Sequence, residues 1–410
     1  MYPELRAIGD EEFSTYARVS HGAFGGVPGG AEIEEARRLT ELDRTVAAFE
    51  AGRMVATAGA LSLELTLPGL TLLPVAGVTD VGVLPTHRRR GLLRSLMAHQ
   101  LEDVAARGEA AAVLLASESI IYGRFGYGAA VASAGIEVDP HRSAFAAAFT
   151  DPGGVRLVEG EEVAKLLPDV HDAARRQQPG DVSRPVAWWQ VVSADGEHRR
   201  RGRGPLFWVL HVDAAGRPDG FASYRLQHGQ WAGGLPDHQL HVEDLVASDP
   251  TVEAALWRFL LDVDLVRSVV AWSRPLDEPL AWRLEDPRQR RVTRVSDFLW
   301  LRLLDVPAAL SARRYPARGR LVLDVVDTFR PQTSDRYVLE AGEDGAWCAT
   351  TTDAADLVMG ITDLGACYLG GARFTTLARA GRVNERSAGA LARADAMFSC
   401  DPPPFCRTGF

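Results

Sequence analysis

Long apolar runs are missing from this sequence. The longest uncharged stretch near the N-terminus, Thr66 to Thr79, is broken by Pro68, Gly69, Pro74 and Gly77, so no segment reaches the roughly 18 apolar residues that a membrane helix needs. Cysteine is scarce. Cys348, Cys367, Cys400 and Cys406 all fall in the last quarter, without CxxC spacing or a nearby histidine cluster, so thiols are expected rather than a disulfide framework or a zinc site, and no metal is predicted. A basic excess is missing too: 45 Lys and Arg stand against 54 Asp and Glu, a net charge of −9. That balance argues against a nucleic-acid partner and is compatible with cationic ones. The opening Met1-Tyr-Pro-Glu-Leu-Arg carries neither a basic cap nor an apolar signal core, which predicts a cytoplasmic protein. Lysine is nearly absent, Lys165 being the one example, and genome composition accounts for that as readily as function does.

The 410 residues, 46% of them hydrophobic and 24% charged, are ordinary for soluble chains and long enough for two or three domains. Residues 11–24 and 31–42 show helical apolar spacing. Thr45 to Phe49 and Met54 to Leu67 read as strands around the turn Glu50-Ala-Gly-Arg. Val75 to Leu84 is a strand leading into Pro85-Thr-His-Arg-Arg-Arg-Gly91, Leu92 to Ala106 is helical, and Ala110 to Ala116 is a buried-type strand; together they predict a βαβ unit. A mixed α/β domain, 1–150, is expected to end at the linker Thr150-Asp-Pro-Gly-Gly. A second, 155–295, repeats the order strand, turn, helix at His238 to Asp262, without the glycine and arginines of the first turn. The third, 296–410, is α+β: strands at 298–304 and 319–326, a hairpin over Tyr337 to Thr351, and helices at 353–360 and 371–380.

The chemistry concentrates in Val81-Gly-Val-Leu-Pro-Thr-His-Arg88-Arg-Arg-Gly91-Leu-Leu-Arg94. A strand that feeds a helix start leaves main-chain N–H groups unpaired, with the positive end of the helix dipole behind them. Gly91 lets a phosphate approach closely, and Arg88, Arg89 and Arg94 add charged hydrogen bonds suited to a pyrophosphate. A solvated basic helix end is the alternative.

Two motifs bear on that choice. Arg88-x-x-Gly91-x-Leu93 resembles the acetyl-coenzyme A signature of the GCN5-related N-acetyltransferases, with Leu93 departing at its last position. Tyr122-Gly-Arg-Phe-Gly126-Tyr127 resembles the second signature of that superfamily. Together with Ala-Ser-Glu before Ile-Tyr-Gly-Arg-Phe-Gly-Tyr-Gly, the later Val-Pro-Ala-Ala-Leu and the terminal Phe410, these segments resemble the Eis (enhanced intracellular survival) family along the whole chain. The resemblance implies an acetyltransferase domain, a second acetyltransferase-like domain without its own cofactor site, and a sterol-carrier-like domain. It further implies acetyl-CoA as co-substrate, a homohexamer, and acetylation of aminoglycosides or similar polyamines. Cofactor contacts carry over to Val81, Gly82 and Val83 on the strand, to Arg88, Arg89, Arg90, Gly91, Leu92, Leu93 and Arg94 at the turn and helix start, and to Ser117 and Glu118 after the next strand.

Amine attack on a thioester requires a proton acceptor for nitrogen and a proton donor for the departing thiolate. By the resemblance Tyr122 is the donor, and the C-terminal carboxylate of Phe410 the acceptor. A free α-carboxyl has a pKa of about 3.5, which makes it a weak base unless burial raises it. Phe24 and Asp80 are the expected acceptor-binding residues. Where aminoglycoside-acetylating relatives carry acids, this sequence has Ala23 and Gly409, and Asp80 is the candidate replacement. Acetylation of protein or peptide lysines and a non-enzymatic lipid carrier remain open as other functions.

Overall fold

The computed structural model describes residues 3–231, 237–342 and 345–410. Its chain forms two compact units. One holds residues 1–131, 179–182 and 297–410, the other residues 132–178 and 183–296. Among the described residues no helix is long and apolar enough to cross a membrane.

The first unit contains two sheets. The larger has the strand order Glu4–Arg6, Thr45–Glu50, Arg53–Thr66, Leu72–Val83, Ala111–Leu115, Leu299–Leu303, Gly128–Ala129. Its central strands are rich in alanine, and Ala56, Ala58, Ala76, Ala111 and Ala112 are fully buried. Helix Leu92–Ala106 covers them with Leu96, Met97, Leu101 and Val104, all with no exposed surface. These positions recur at helical spacing, and that spacing turns one apolar stripe onto the sheet. The smaller sheet, Gly345–Thr350, Asp335–Gly342, Gly319–Val326, Leu357–Gly360, Val383–Glu385, belongs to the C-terminal part. The tip of the expected 337–351 hairpin, residues 343–344, lies outside the described residues.

Three expectations need correction. Strand Ala132–Val138 is paired with Val266–Arg274 in the second unit's sheet, so the N-terminal stretch of the first unit ends at Val131 and the expected linker falls inside the second unit. Strand Leu299–Leu303, expected in the third domain, instead pairs with Ala111–Leu115 in register Leu301↔Val113. Residues 353–360, expected to be helical, include the strand Leu357–Gly360, parallel to Gly319–Val326, and helix Ile361–Cys367 follows. Leu357 and Met359 are buried while Val358 is partly exposed. That is the period-two pattern of a strand, in a run too short for its periodicity to be decisive.

The second unit has one sheet, ordered Arg290–Asp297, Ala132–Val138, Val266–Arg274, His238–Ala247, Pro218–Gln227, Phe207–Val212, Gly154–Val158. His238–Ala247 and Val266–Arg274 run parallel, joined by helix Pro250–Leu261.

Candidate active site

Strands Leu72–Val83 and Ala111–Leu115 pair in parallel at Ala76↔Ala112, Gly77↔Val113 and Val78↔Leu114, and there the ladder ends. Leu72–Val83 continues. Just past that point it bulges: Gly59 pairs with Thr79 and Thr57 with Gly82, leaving Asp80 and Val81 opposite the single residue Ala58. Asp80 takes φ 53°, a left-handed conformation that aspartate tolerates better than most residues, and the Thr57 hydroxyl secures the bend by donating to the Asp80 carbonyl at 2.8 Å. A bulge re-aims side chains and parts the strands. Among the described residues no strand pairs with the edge from Thr79 to Val83 that faces away from Arg53–Thr66.

The wedge so opened continues into a groove of about 880 Å³, lined by every expected cofactor residue except Arg90. The turn Pro85–His87 carries the chain to Arg89 at φ 61° and Gly91 at φ 85°, where helix Leu92–Ala106 starts. Among the described residues, its chain neighbours and own helix backbone aside, no atom comes within 4 Å of where a Gly91 side chain would begin, and no side chain caps this helix start, which leaves room for an anion. Arg88 is tied inward, donating to the carbonyls of Ala23 (2.5 Å) and Val83 (3.3 Å). Arg94 lies over the Phe329 ring at 4.9 Å. Arg90 turns away and pairs with Glu50 at 2.5 Å, and the arginine hydrogen bond, with His87 adding to it, holds that carboxyl below its ordinary range. His87, Ile120, Ile121, Arg124 and Phe125 also line the groove and were not singled out from the sequence. Phe125 stood inside a motif that was read for its tyrosine and glycine.

A second cavity, about 370 Å³, adjoins the first. Ser20, His21, Phe24, Asp80, Ser117, Tyr122 and Phe410 are among its lining, and Phe24, Val81, Ser117 and Tyr122 line both cavities. Ser20 and His21 were missed, although Ser20 and Phe24 are spaced to share a helix face. Tyr122 is 6% exposed. Burial raises its pKa, and a hydrogen bond with the Ser117 side chain offsets part of the rise. The phenol therefore stays protonated. The Ser20 hydroxyl donates to Asp80 Oδ1 at 3.4 Å. Burial raises the Asp80 carboxyl pKa, while His21 and that hydrogen bond pull it back.

Phe410 reaches the cavity on an anchored tail. The Phe405 amide donates to the Pro179 carbonyl at 2.9 Å, Arg407 pairs with Asp181 at 2.9 Å, and Phe405, Cys406 and Thr408 are buried. The Phe410 ring packs on Gly77, where a side chain would begin 3.2 Å from Cε2.

The C-terminal part also braces the Tyr122 segment. Gly126, at φ 87°, lies directly on the Arg302 guanidinium, 2.7 Å from where its side chain would begin, so any other residue here meets both strain and a clash. Arg302 is ion-paired to Asp327, and both side chains are completely buried. Asp327 Oδ1 accepts from the amides of Phe329 and Arg330. Phe329 packs edge-on against Phe125 with centroids 5.0 Å apart, and Thr362 donates to the Gly123 carbonyl at 3.1 Å.

A splayed parallel strand pair, a glycine-capped helix start beside it and a buried tyrosine where two cavities join define a GCN5-related N-acetyltransferase. Acetyltransferase (GNAT) domain models match residues 4–130 and 180–303, and a sterol carrier protein domain model matches residues 306–407. An uncharacterized N-acetyltransferase of Streptomyces coelicolor is 41% identical, covering 100% of both chains. N-acetyltransferase Eis of Mycobacterium tuberculosis is 37% identical over 84% of this chain and 82% of its own. The crystal structure of Eis1 from Mycobacterium abscessus superposes with a TM-score of 0.88 at 35% identity, over 99% of this chain and 100% of its own. The chain belongs to the Eis family and is an N-acetyltransferase: two acetyltransferase domains followed by a sterol-carrier-like domain.

Proposed function

We propose that the first domain binds acetyl-CoA in the larger cavity and acetylates a primary amine held in the smaller one. The observation that carries this reading is Tyr122, a protonated phenol shared by both cavities. The open end of helix Leu92–Ala106, with Arg88, Arg89 and Arg94, suits a pyrophosphate. The unpaired strand edge at Val81 to Val83 suits an extended amide-bearing arm. The thioester is what acetyl-CoA supplies. As the amine nitrogen bonds to the acetyl carbon and the carbon–sulfur bond breaks, Tyr122 gives its proton to sulfur. The proton lost from nitrogen passes to the Phe410 carboxylate, directly or through a water. Asp80 holds the incoming ammonium. Aminoglycosides and related polyamines, the acceptors expected from the sequence, fall within this class of reaction.

Two measurements test it. Incubation with acetyl-CoA and a panel of primary amines should release thiol and yield products heavier by one acetyl group, and no release with any amine would refute the reading. Extending the chain beyond Phe410 with a histidine tag turns the carboxylate into a peptide carbonyl. The expected loss in kcat/KM is at least about 10²-fold, the scale of a positioned acid or base, with acetyl-CoA binding retained. Unchanged turnover would move the proton acceptor elsewhere.

A further inference from the structure

Around the smaller cavity anionic groups are few and the rim is apolar. Asp80 is the one side-chain carboxylate among its lining residues, leaning on Ser20 and facing His21. Ala23, on the wall of the adjoining groove, and Gly409, just before Phe410, add no carboxylate. Phe24, which lines both cavities, is 64% exposed, and Ile120, on the wall of the adjoining groove, is 80% exposed. Val27, in the same glycine-bearing loop as Phe24, is 91% exposed. Single apolar side chains are common on surfaces, but Phe24 and Ile120 gather at one candidate binding site, where apolar lining with a few polar groups is what a small ligand meets.

We infer that the preferred acceptor is a primary amine carrying a single positive charge on an aromatic or branched aliphatic body, an arylalkylamine rather than a polyaminosugar. The inference rests on the amine acetylation proposed above and narrows its substrate. One ammonium can be met by Asp80, with the Phe410 carboxylate left to take its proton. A third or fourth cationic group finds no further side-chain carboxylate in this cavity's lining, the next being Glu118 on the wall of the adjoining cofactor groove. The cavity of about 370 Å³ accommodates one ring and a short linker. An apolar body extending past the cavity would meet Phe24 and Ile120.

The test uses the full chain saturated with acetyl-CoA, following thiol release with phenethylamine, n-propylamine, spermidine and a tetracationic aminoglycoside. Phenethylamine should exceed both polycations in kcat/KM by at least about 10-fold. Phe24→Ala should raise KM for phenethylamine about 3- to 10-fold more than it raises KM for n-propylamine, with Phe24→Leu restoring most of the difference. A polycation turned over faster than phenethylamine, or a Phe24→Ala effect equal on all amines, would overturn the inference while leaving amine acetylation standing. If acetyl-CoA binds by calorimetry and no amine releases thiol, both fall.

Discussion

The chain builds strand, turn and helix twice, and the two helix starts differ in what fills them. Before Leu92–Ala106 the capping position is Gly91, left-handed, and no side chain among the described residues caps the first turn. Before Pro250–Leu261 it is Asp249, whose carboxylate accepts from the amides of Thr251 at 2.7 Å and Val252 at 3.1 Å. The second helix carries its own anion. The flanking strands do not differ in that way: Leu72–Val83 leaves its parallel partner after Val78, and His238–Ala247 leaves Val266–Arg274 after Val242↔Ala271. With the ladder opening in both units, what separates the two is the cap: withheld at Gly91, where the proposed cofactor groove lies, and filled by the side chain of Asp249.

The comparison can be broken most severely at Tyr122, since the short helix after the second unit's parallel strand, Leu280–Arg283, offers no hydroxyl. Tyr122→Phe should lower kcat by roughly 10² to 10⁴ with acetyl-CoA affinity kept. Burial holds the phenol protonated above its ordinary pKa of about 10, so in the parent enzyme no alkaline limb below that pH should belong to it, as a pH series of kcat would check. Gly91→Asp would convert the first turn toward the second, setting a carboxylate at a left-handed cap. Acetyl-CoA affinity should fall by about 10²-fold in calorimetry, with the circular dichroism spectrum nearly unchanged. Arg89→Ala would remove the proposed charged phosphate contact, of a kind worth about 1.5–3 kcal/mol. Acetyl-CoA affinity should drop roughly 10- to 150-fold, with little change in KM for the amine. Asp249→Ala, the smallest effect, should destabilise the second unit by about 1 kcal/mol, read in denaturant melts, and leave acetyl-CoA affinity untouched.

Much of this was legible locally. The βαβ unit, the Gly91 cap and the Tyr122 segment are set by short-range pattern, and the structure places them close to the expected boundaries. Arg90 was not separable from Arg88 and Arg89 in a run of three arginines. The left-handed turn at Arg89 sends successive side chains in different directions, and only the partner Glu50, forty residues earlier, shows where Arg90 goes. The Asp80 bulge was legible only as an aspartate set in an apolar strand; its register arises from the mismatch with Thr57 and Gly59 across the sheet. The exchange of Ala132–Val138 and Leu299–Leu303 between sheets was hidden for a similar reason. An alternating apolar strand states that it needs a neighbour, not which one.

That exchange sets a timetable for synthesis. Strand Ala111–Leu115 waits for Leu299–Leu303, about 180 residues later, an interval of roughly 10 to 40 s at ribosomal speed. Throughout it, one side of the first sheet is an open edge able to pair with any extended chain that passes. The nascent protein is therefore most prone to wrong partners while the second unit is emerging. Slowing translation between residues 115 and 299 should increase aggregation rather than relieve it.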